Sequence, residues 1–160
     1  MIESIKIPED RLGVLIGSRG KTKEEIEKNT NTKIGMGDEV LIEGEYLDVL
    51  KALNVVKAIG RGFSPENAFI LFSDKYTLDV ISLKGTKDNI KRLESRVIGY
   101  GGKARKNIEV RTDVKISIYG RTISIIGEYK PVSLARKSIE MLLSGRTHNY
   151  VYRMLERRPQ

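Results

Sequence analysis

Cysteine is absent from this 160-residue chain, and histidine occurs once. The first absence excludes disulfides, zinc–thiolate sites and thiol catalysis, and it fits a reducing compartment. The second leaves His148 without an imidazole partner, and no set of carboxylates stands at metal-ligand spacing. No metal, no cofactor and no enzymatic activity are therefore expected, and His148 reads as a helix-surface or packing residue. Long apolar runs are missing too. Nothing approaches a membrane helix in length, and the N-terminus MIESIKIPED lacks the form of a signal peptide. A soluble cytoplasmic protein with no membrane partner is expected.

Charge, by contrast, is plentiful and uneven. The chain is 39% hydrophobic, enough for a core, and 31% charged, with a net charge of +8. Residues 1–80 hold 11 Lys and Arg against 14 Asp and Glu, whereas residues 81–160 hold 18 against 7. All of the positive excess lies in the second half. Such asymmetry fits a polyanion bound by that half. A lysine-rich surface of the kind found in thermophile proteins would give the same count, so charge alone leaves both readings open.

The stretch LIGSRGKT at 15–22 separates them. It resembles the end of a phosphate-binding loop. A nucleotide loop of the form G-x-x-x-x-G-K-[ST] would need glycine where Leu15 stands, and the apolar run before it is too short for a long buried parallel strand. The loop also occurs twice. LIGSRGKTKEEIEKNTNTKI at 15–34 returns as VIGYGGKARKNIEVRTDVKI at 97–116. This pairs Gly17 with Gly99, Gly20 with Gly102, Lys21 with Lys103, Ile26 with Ile108, Thr30 with Thr112, and Lys33-Ile34 with Lys115-Ile116. GEY at 44–46 recurs at 127–129 and GR at 60–61 recurs at 145–146, so the offset reads 82, then 83, then 85. The chain is a tandem duplication.

Each copy reads as strand, helix, loop, helix, strand, strand, helix. In the first, SIKI alternates as a strand and Pro8 opens a helix that ends at Leu15-Ile16. A second helix runs from Lys21 to about Asn29; TKIGM and EVLIEG form a hairpin. Apolar positions 47, 50, 53, 56 and 59 mark a third helix closed by Gly60. The second copy repeats the order through LDVISL, TKDNIKRLESRVI with Thr86 as N-cap, KARKNIEVRT, KISIYG, RTISIIG and PVSLARKSIEMLL. An amphipathic piece follows each copy, SPENAFILF and THNYVYRML. The expected domains are 1–76 and 77–160. The joining segment 63–77 is apolar at Phe63, Ala68, Phe69, Leu71 and Phe72, so a rigid rather than flexible joint is expected.

A G-x-x-G turn between two helices, in this order of elements, resembles the K-homology (KH) domain. About a dozen residues precede the first loop, room for one strand and one helix, which favours the type I order. The expected fold class is α+β: two type I KH domains in tandem, each a three-stranded sheet with helices on one face and an extra helix behind it. The chemistry of the loop agrees. Glycines let a sugar-phosphate backbone pass close, and the free amides and positive dipole end of the next helix face the phosphates. Gly17, Ser18, Arg19, Gly20 and Lys21 are the expected contacts in the first copy, and Gly99, Tyr100, Gly101, Gly102, Lys103, Arg105 and Lys106 in the second. The strand beyond each loop, through Ile34 and Met36 or Ile116 and Ile118, is expected to support bases. Together these make a groove for about four unstacked nucleotides, too narrow for paired strands. Tyr100 either stacks on a base or packs on its own helix. Ile16, Ile98 and Ile108 are expected in the core, and Arg157-Arg158 reads as a solvated tail or an RNA grip.

Two such units back to back, with GFSPENAF after the first and YTLDVISL leading into the second, resemble the tandem-KH small-subunit ribosome-assembly factors, the partner-of-NOB or Dim-two group with its Krr-one relatives and archaeal counterparts. The resemblance covers nearly the whole chain. It implies binding of single-stranded RNA near the 3′ end of small-subunit rRNA, beside the nuclease that makes that end. Ribosome-assembly nucleases or translation factors are the protein partners it suggests. The first loop, degenerate in eukaryotic members, is intact here, and the short chain without a long N-terminal extension has the look of an archaeal form. A second reading stays open: an adaptor whose acidic first domain, with Glu24, Glu25 and Glu27 on KEEIEK, docks a protein while the second holds RNA.

Overall fold

The computed structural model describes residues 1–157, and Arg158, one of the two tail arginines considered above, lies outside the described residues. The chain divides into two compact units, Met1–Tyr76 and Thr77–Gln160. The first runs β1 (Ile2–Ile5), α1 (Glu9–Ile16), a 3-10 turn (Ser18–Gly20), α2 (Lys21–Thr30), β2 (Lys33–Gly35), β3 (Val40–Glu43) and α3 (Tyr46–Gly60). A one-turn helix α4 (Pro65–Ala68) and a 3-10 turn (Phe69–Phe72) follow. The second unit repeats the order with β4 (Tyr76–Ser82), α5 (Lys87–Ile98), a 3-10 turn (Tyr100–Gly102), α6 (Lys103–Thr112), β5 (Lys115–Tyr119), β6 (Thr122–Glu128) and α7 (Tyr129–Leu143), closed by α8 (His148–Arg157).

The sheets are ordered β1-β3-β2 and β4-β6-β5, so β2 and β5 are edge strands. β3 pairs antiparallel with both neighbours, and β5 pairs antiparallel with β6. In the first sheet Val40 and Ile42 are buried while Leu41 and Glu43 are exposed, so one face meets the helices and the other does not. The class is α+β, with the type I order twice.

Four departures from the sequence reading concern the helices. Positions 47, 50, 53, 56 and 59 step by three, but an α-helix turns every 3.6 residues. The stripe therefore drifts off the core: Leu47 is 74% exposed, and the buried face is Val49, Ala52, Val55, Val56 and Ile59. Gly60 does not close α3. Its φ is ordinary, and it is small because a Cβ there would come within 2.8 Å of Ile7 Cγ2. The left-handed residue is Gly62, at φ 100°, with Phe63 N–H donating to the Ala58 carbonyl and Gly62 N–H to that of Ile59. This pair of bonds is the Schellman arrangement. Gly145, at φ 102°, ends α7 the same way through Arg146 to Met141 and Gly145 to Leu142. The equivalent of Gly145 is thus Gly62, the offset stays at 83, and the GR match at 60–61 is a coincidence of residue type. The piece after the first copy is also shorter than a helix proper. Ser64 caps α4 by accepting from Asn67 N–H, Pro65 starts it, and the chain tightens to 3-10 within a turn. This segment packs on α3, with Phe63, Ala68 and Leu71 buried.

One arginine in each unit clamps the helices together. Arg11 on α1 donates from Nε to the Ile59 carbonyl at 2.8 Å and from Nη2 to that of Phe63 at 2.7 Å. Arg96 on α5 does the same to Leu142 at 2.9 Å and Arg146 at 2.6 Å. Each fork meets one carbonyl in the last turn of a long helix and one just past its end, where a cation also suits the dipole. His148 adds a layer behind the second clamp, its Nε2–H donating to the Arg96 carbonyl at 2.8 Å. This is the packing role expected of it. Arg11→Ala and Arg96→Ala are each expected to cost about 2 kcal/mol, and Lys at either site to recover little, because one ammonium cannot reproduce the fork. Urea unfolding of wild type, the two alanine variants and the two lysine variants measures both effects.

Candidate nucleic-acid interface

The two loops share one backbone path. Gly17 sits at φ 76°, ψ 177° and Gly99 at φ 75°, ψ 177°, a region open in practice only to glycine. The third residue is left-handed in both, Arg19 at φ 56° and Gly101 at φ 60°, and so is the fourth, Gly20 at φ 74° and Gly102 at φ 80°. The motif as written shows two glycines, but the backbone needs three left-handed positions. The second copy supplies glycine at all three. The first places arginine at one, which trades about 1–2 kcal/mol of strain for a cation at the tip.

The glycines serve different ends. A Cβ on Gly17 would lie 2.8 Å from the Thr22 backbone N and overlap the Thr22 hydroxyl; on Gly99 it would lie 2.6 Å from Ala104 Cβ. These glycines let the second helix fold back against the turn. Around Gly20, Gly101 and Gly102, no atom beyond the adjoining chain comes within 4 Å of an added Cβ. Their bareness serves no packing need of the protein and leaves the outer side open to a close-lying backbone.

α2 and α6 begin directly at these open glycines, with no side chain capping either N-terminus. Their first-turn amides and positive dipole ends thus point at the loop surface. Ser18, Arg19, Lys21, Tyr100, Lys103, Arg105 and Lys106 are all exposed. Tyr100 is 91% exposed, so of its two readings the ring packed on its own helix is not the one found. Lys103 and Lys106 line a cleft between α6 and α8 whose far wall is Tyr152. Burial pushes the Tyr152 phenol above its usual range, against the opposing charge of Arg111. The first turn of α2 carries Glu24, whereas that of α6 carries no acid.

The apolar part of the site differs from expectation. Ile34 is 2% exposed and Ile116 5%, so both side chains are spent in the core and present no face to a base. Strand alternation explains this, since a residue paired opposite the buried Ile42 or Ile125 shares its face. Met36, 36% exposed, and the half-buried Ile118 remain at the surface. Ile16 and Ile98, expected in the core, are instead 37% and 38% exposed on the last turn before each loop; Ile108 is buried as expected. The sequence reading put Glu27 on a protein-docking face, gave Glu109 no role, and missed what both do. Each reaches from the second helix to the edge strand and accepts the backbone N–H of Ile34, at 2.8 Å, or of Ile116, at 2.9 Å. The signal was available: within 15–34 and 97–116 this is the one acidic residue identical in both copies.

The chain can be compared with known proteins on this footing. A family model described as KH domain matches residues 2–58, and one described as eukaryotic type KH-domain (KH-domain type I) matches residues 76–160. A KH domain-containing protein of Methanocaldococcus jannaschii is 46% identical over 99% of this chain and 74% of its own length. The RNA-binding protein PNO1 of Oryzias latipes is 32% identical over 64% of this chain, which spans 44% of that protein. The crystal structure of Dim2p from Pyrococcus horikoshii OT3 is similar at a TM-score of 0.90 and 45% identity, covering 99% of both chains. A chain in the crystal structure of the a/eIF2alpha-aDim2p-rRNA complex from the same organism is similar at 0.90 and 43%, covering 98% of this chain and 93% of that one.

The two kinds of glycine predict separable phenotypes. Gly17→Ala and Gly99→Ala are expected to destabilise their units by about 3 kcal/mol or more, from backbone strain and overlap together. Gly20→Ala and Gly102→Ala, left-handed but unobstructed, are expected to cost about 1 kcal/mol. Thermal melts of the four variants test the ranking.

Proposed function

The chain belongs to the KH-domain family as a tandem member of the PNO1 and Dim2p group, and on that premise we propose that it binds single-stranded RNA in assembly of the small ribosomal subunit, through both G-x-x-G loops, near the 3′ end of small-subunit rRNA. The observation that carries this is the repeated open loop. Unobstructed glycines stand at an uncapped helix N-terminus, twice, with cations beside them. Phosphates lie on the amides and cations, and bases turn toward the strand edge, where Ile16 and Met36 or Ile98 and Ile118 offer apolar contact. The rRNA complex known for the Pyrococcus relative supports the ligand class.

The second loop is the stronger site. It lies in the basic half, has Lys103, Arg105 and Lys106 close by, and lacks the Glu24 that opposes phosphate at the first. An adaptor role for the first unit is compatible with this division. Its acidic second helix and the exposed Tyr46 and Leu47 on α3 suit a protein partner, and the Pyrococcus relative occurs with a/eIF2alpha as well as rRNA.

Binding of the 3′-terminal rRNA oligomer, a scrambled oligomer and a hairpin across a salt series tests the proposal. The terminal oligomer is expected to bind tightest and the hairpin weakest. The log–log salt slope is expected at about −0.7 per phosphate contact. Equal affinity for all three at every salt would reduce the protein to a non-specific polyanion binder. Replacing Tyr100 and Gly101 by aspartates sets like charge against phosphate where no side chain obstructs it. A loss of about tenfold or more is expected, and the same change at Ser18 and Arg19 is expected to do less. The reverse order would assign the stronger site to the first unit.

A further inference from the structure

We propose that Glu27 and Glu109 read the base. Each uses one carboxylate oxygen to cap the outward N–H of the edge strand and offers the other to the Watson–Crick edge of the nucleotide lying there, favouring bases with an amino group and disfavouring uracil. The inference rests on the RNA-binding reading above and specifies what the groove selects.

Position is the first ground. In an antiparallel ladder, successive residues direct their N–H and C=O alternately toward and away from the partner strand. Ile34 lies opposite Ile42, and Ile116 opposite Ile125, yet their N–H groups go to Glu27 and Glu109. Those N–H groups, and the carbonyls beside them, therefore face the free edges of β2 and β5. A base laid along the edge meets the carboxylate where the strand N–H would otherwise face it. Persistence through the duplication is the second ground. Glu24 is matched by Lys106 and Glu25 by Asn107, but Glu27 by Glu109, and the same bond is made in both units. A negative charge beside a phosphate track opposes binding, so its retention in the more basic unit points to a specific partner.

Chemistry supplies the choice of base. A carboxylate only accepts hydrogen bonds. Cytosine and adenine present exocyclic amino groups and guanine presents N1–H with its amino group, all donors, and carboxylate to cytosine N4 is an established pairing. Uracil presents one N–H between two carbonyl oxygens, whose lone pairs face the carboxylate. In the second unit Arg105 Nε lies 4.0 Å from Glu109 Oε1, which sets a donor beside the acceptor, and the Glu109 side chain is 22% exposed, accessible yet partly dried. In the first unit Lys23 takes the place of Arg105.

The competing role is a plain cap that blunts a sheet edge. Glutamine separates the two. In Glu27→Gln and Glu109→Gln the amide oxygen can still accept the strand N–H, but the outward group becomes a donor. The full chain and both variants are titrated by fluorescence anisotropy, at fixed salt, with equal-length oligomers of uracil, cytosine or adenine. Wild type is expected to favour cytosine and adenine over uracil about tenfold. The variants are expected to bring that ratio toward one, while overall affinity rises with the loss of negative charge. The Ile34 and Ile116 amide resonances report whether the cap persists. Ratios unchanged in both variants, or a wild type indifferent to uracil, would overturn the base-reading role alone. Failure of wild type to bind any of the oligomers would overturn the RNA reading and this inference with it.

Discussion

In each unit one glycine is boxed in by the helix that follows it. Gly17 and Gly99 hold a backbone conformation closed to other residues, and Thr22 or Ala104 sits where a side chain would begin. That contact sets the sharp reversal between the first and second helices. The reversal brings the start of the second helix to the surface with its amides uncovered. It also lays that helix along the edge strand, close enough for a glutamate two turns on to reach the strand backbone. Loop shape, helix direction and strand-edge contact are consequences of one steric exclusion.

On this shared frame the two copies carry different charge. The backbone angles of the loops agree to within a few degrees, as do the Schellman ends of α3 and α7 and the arginine clamps behind them. Elements that hold the fold have stayed the same in kind. Exposed positions have diverged: Arg19 against Gly101, Ser18 against Tyr100, Glu24 against Lys106. Packing constrains the first group because each member touches several others. The second group is free of that constraint. A duplicated module can thus shift one copy toward RNA and free the other for a second partner without disturbing either core.

Tandem duplication, element order and the loop motif were legible in the amino-acid sequence because they are local. Glycine spacing, alternating strands and capping residues such as Ser64 and Thr86 act within a few positions of themselves. Burial was less legible. A stripe counted in threes placed Leu47 and Leu50 inward, and an isoleucine before a glycine turn was expected in the core at Ile16 and Ile98, yet all four are exposed. Whether an apolar residue at an element's end is covered depends on which other elements reach it, and no local pattern contains that.

The sequence by itself determined the repeat, the class of fold, the placement of positive charge and the residues able to approach a phosphate. The tertiary structure decided which glycines serve the protein and which leave space for a ligand, because that distinction is a distance to atoms on another element. It also decided that Ile34 and Ile116 belong to the core, and that Glu27, which reads along the chain as part of an acidic helix, and Glu109, the single acid of a basic one, stand at the strand edge. Each glutamate lies seven positions before the N–H it accepts, and the turn at Asn31 or Asp113, left-handed in both copies, brings the two together.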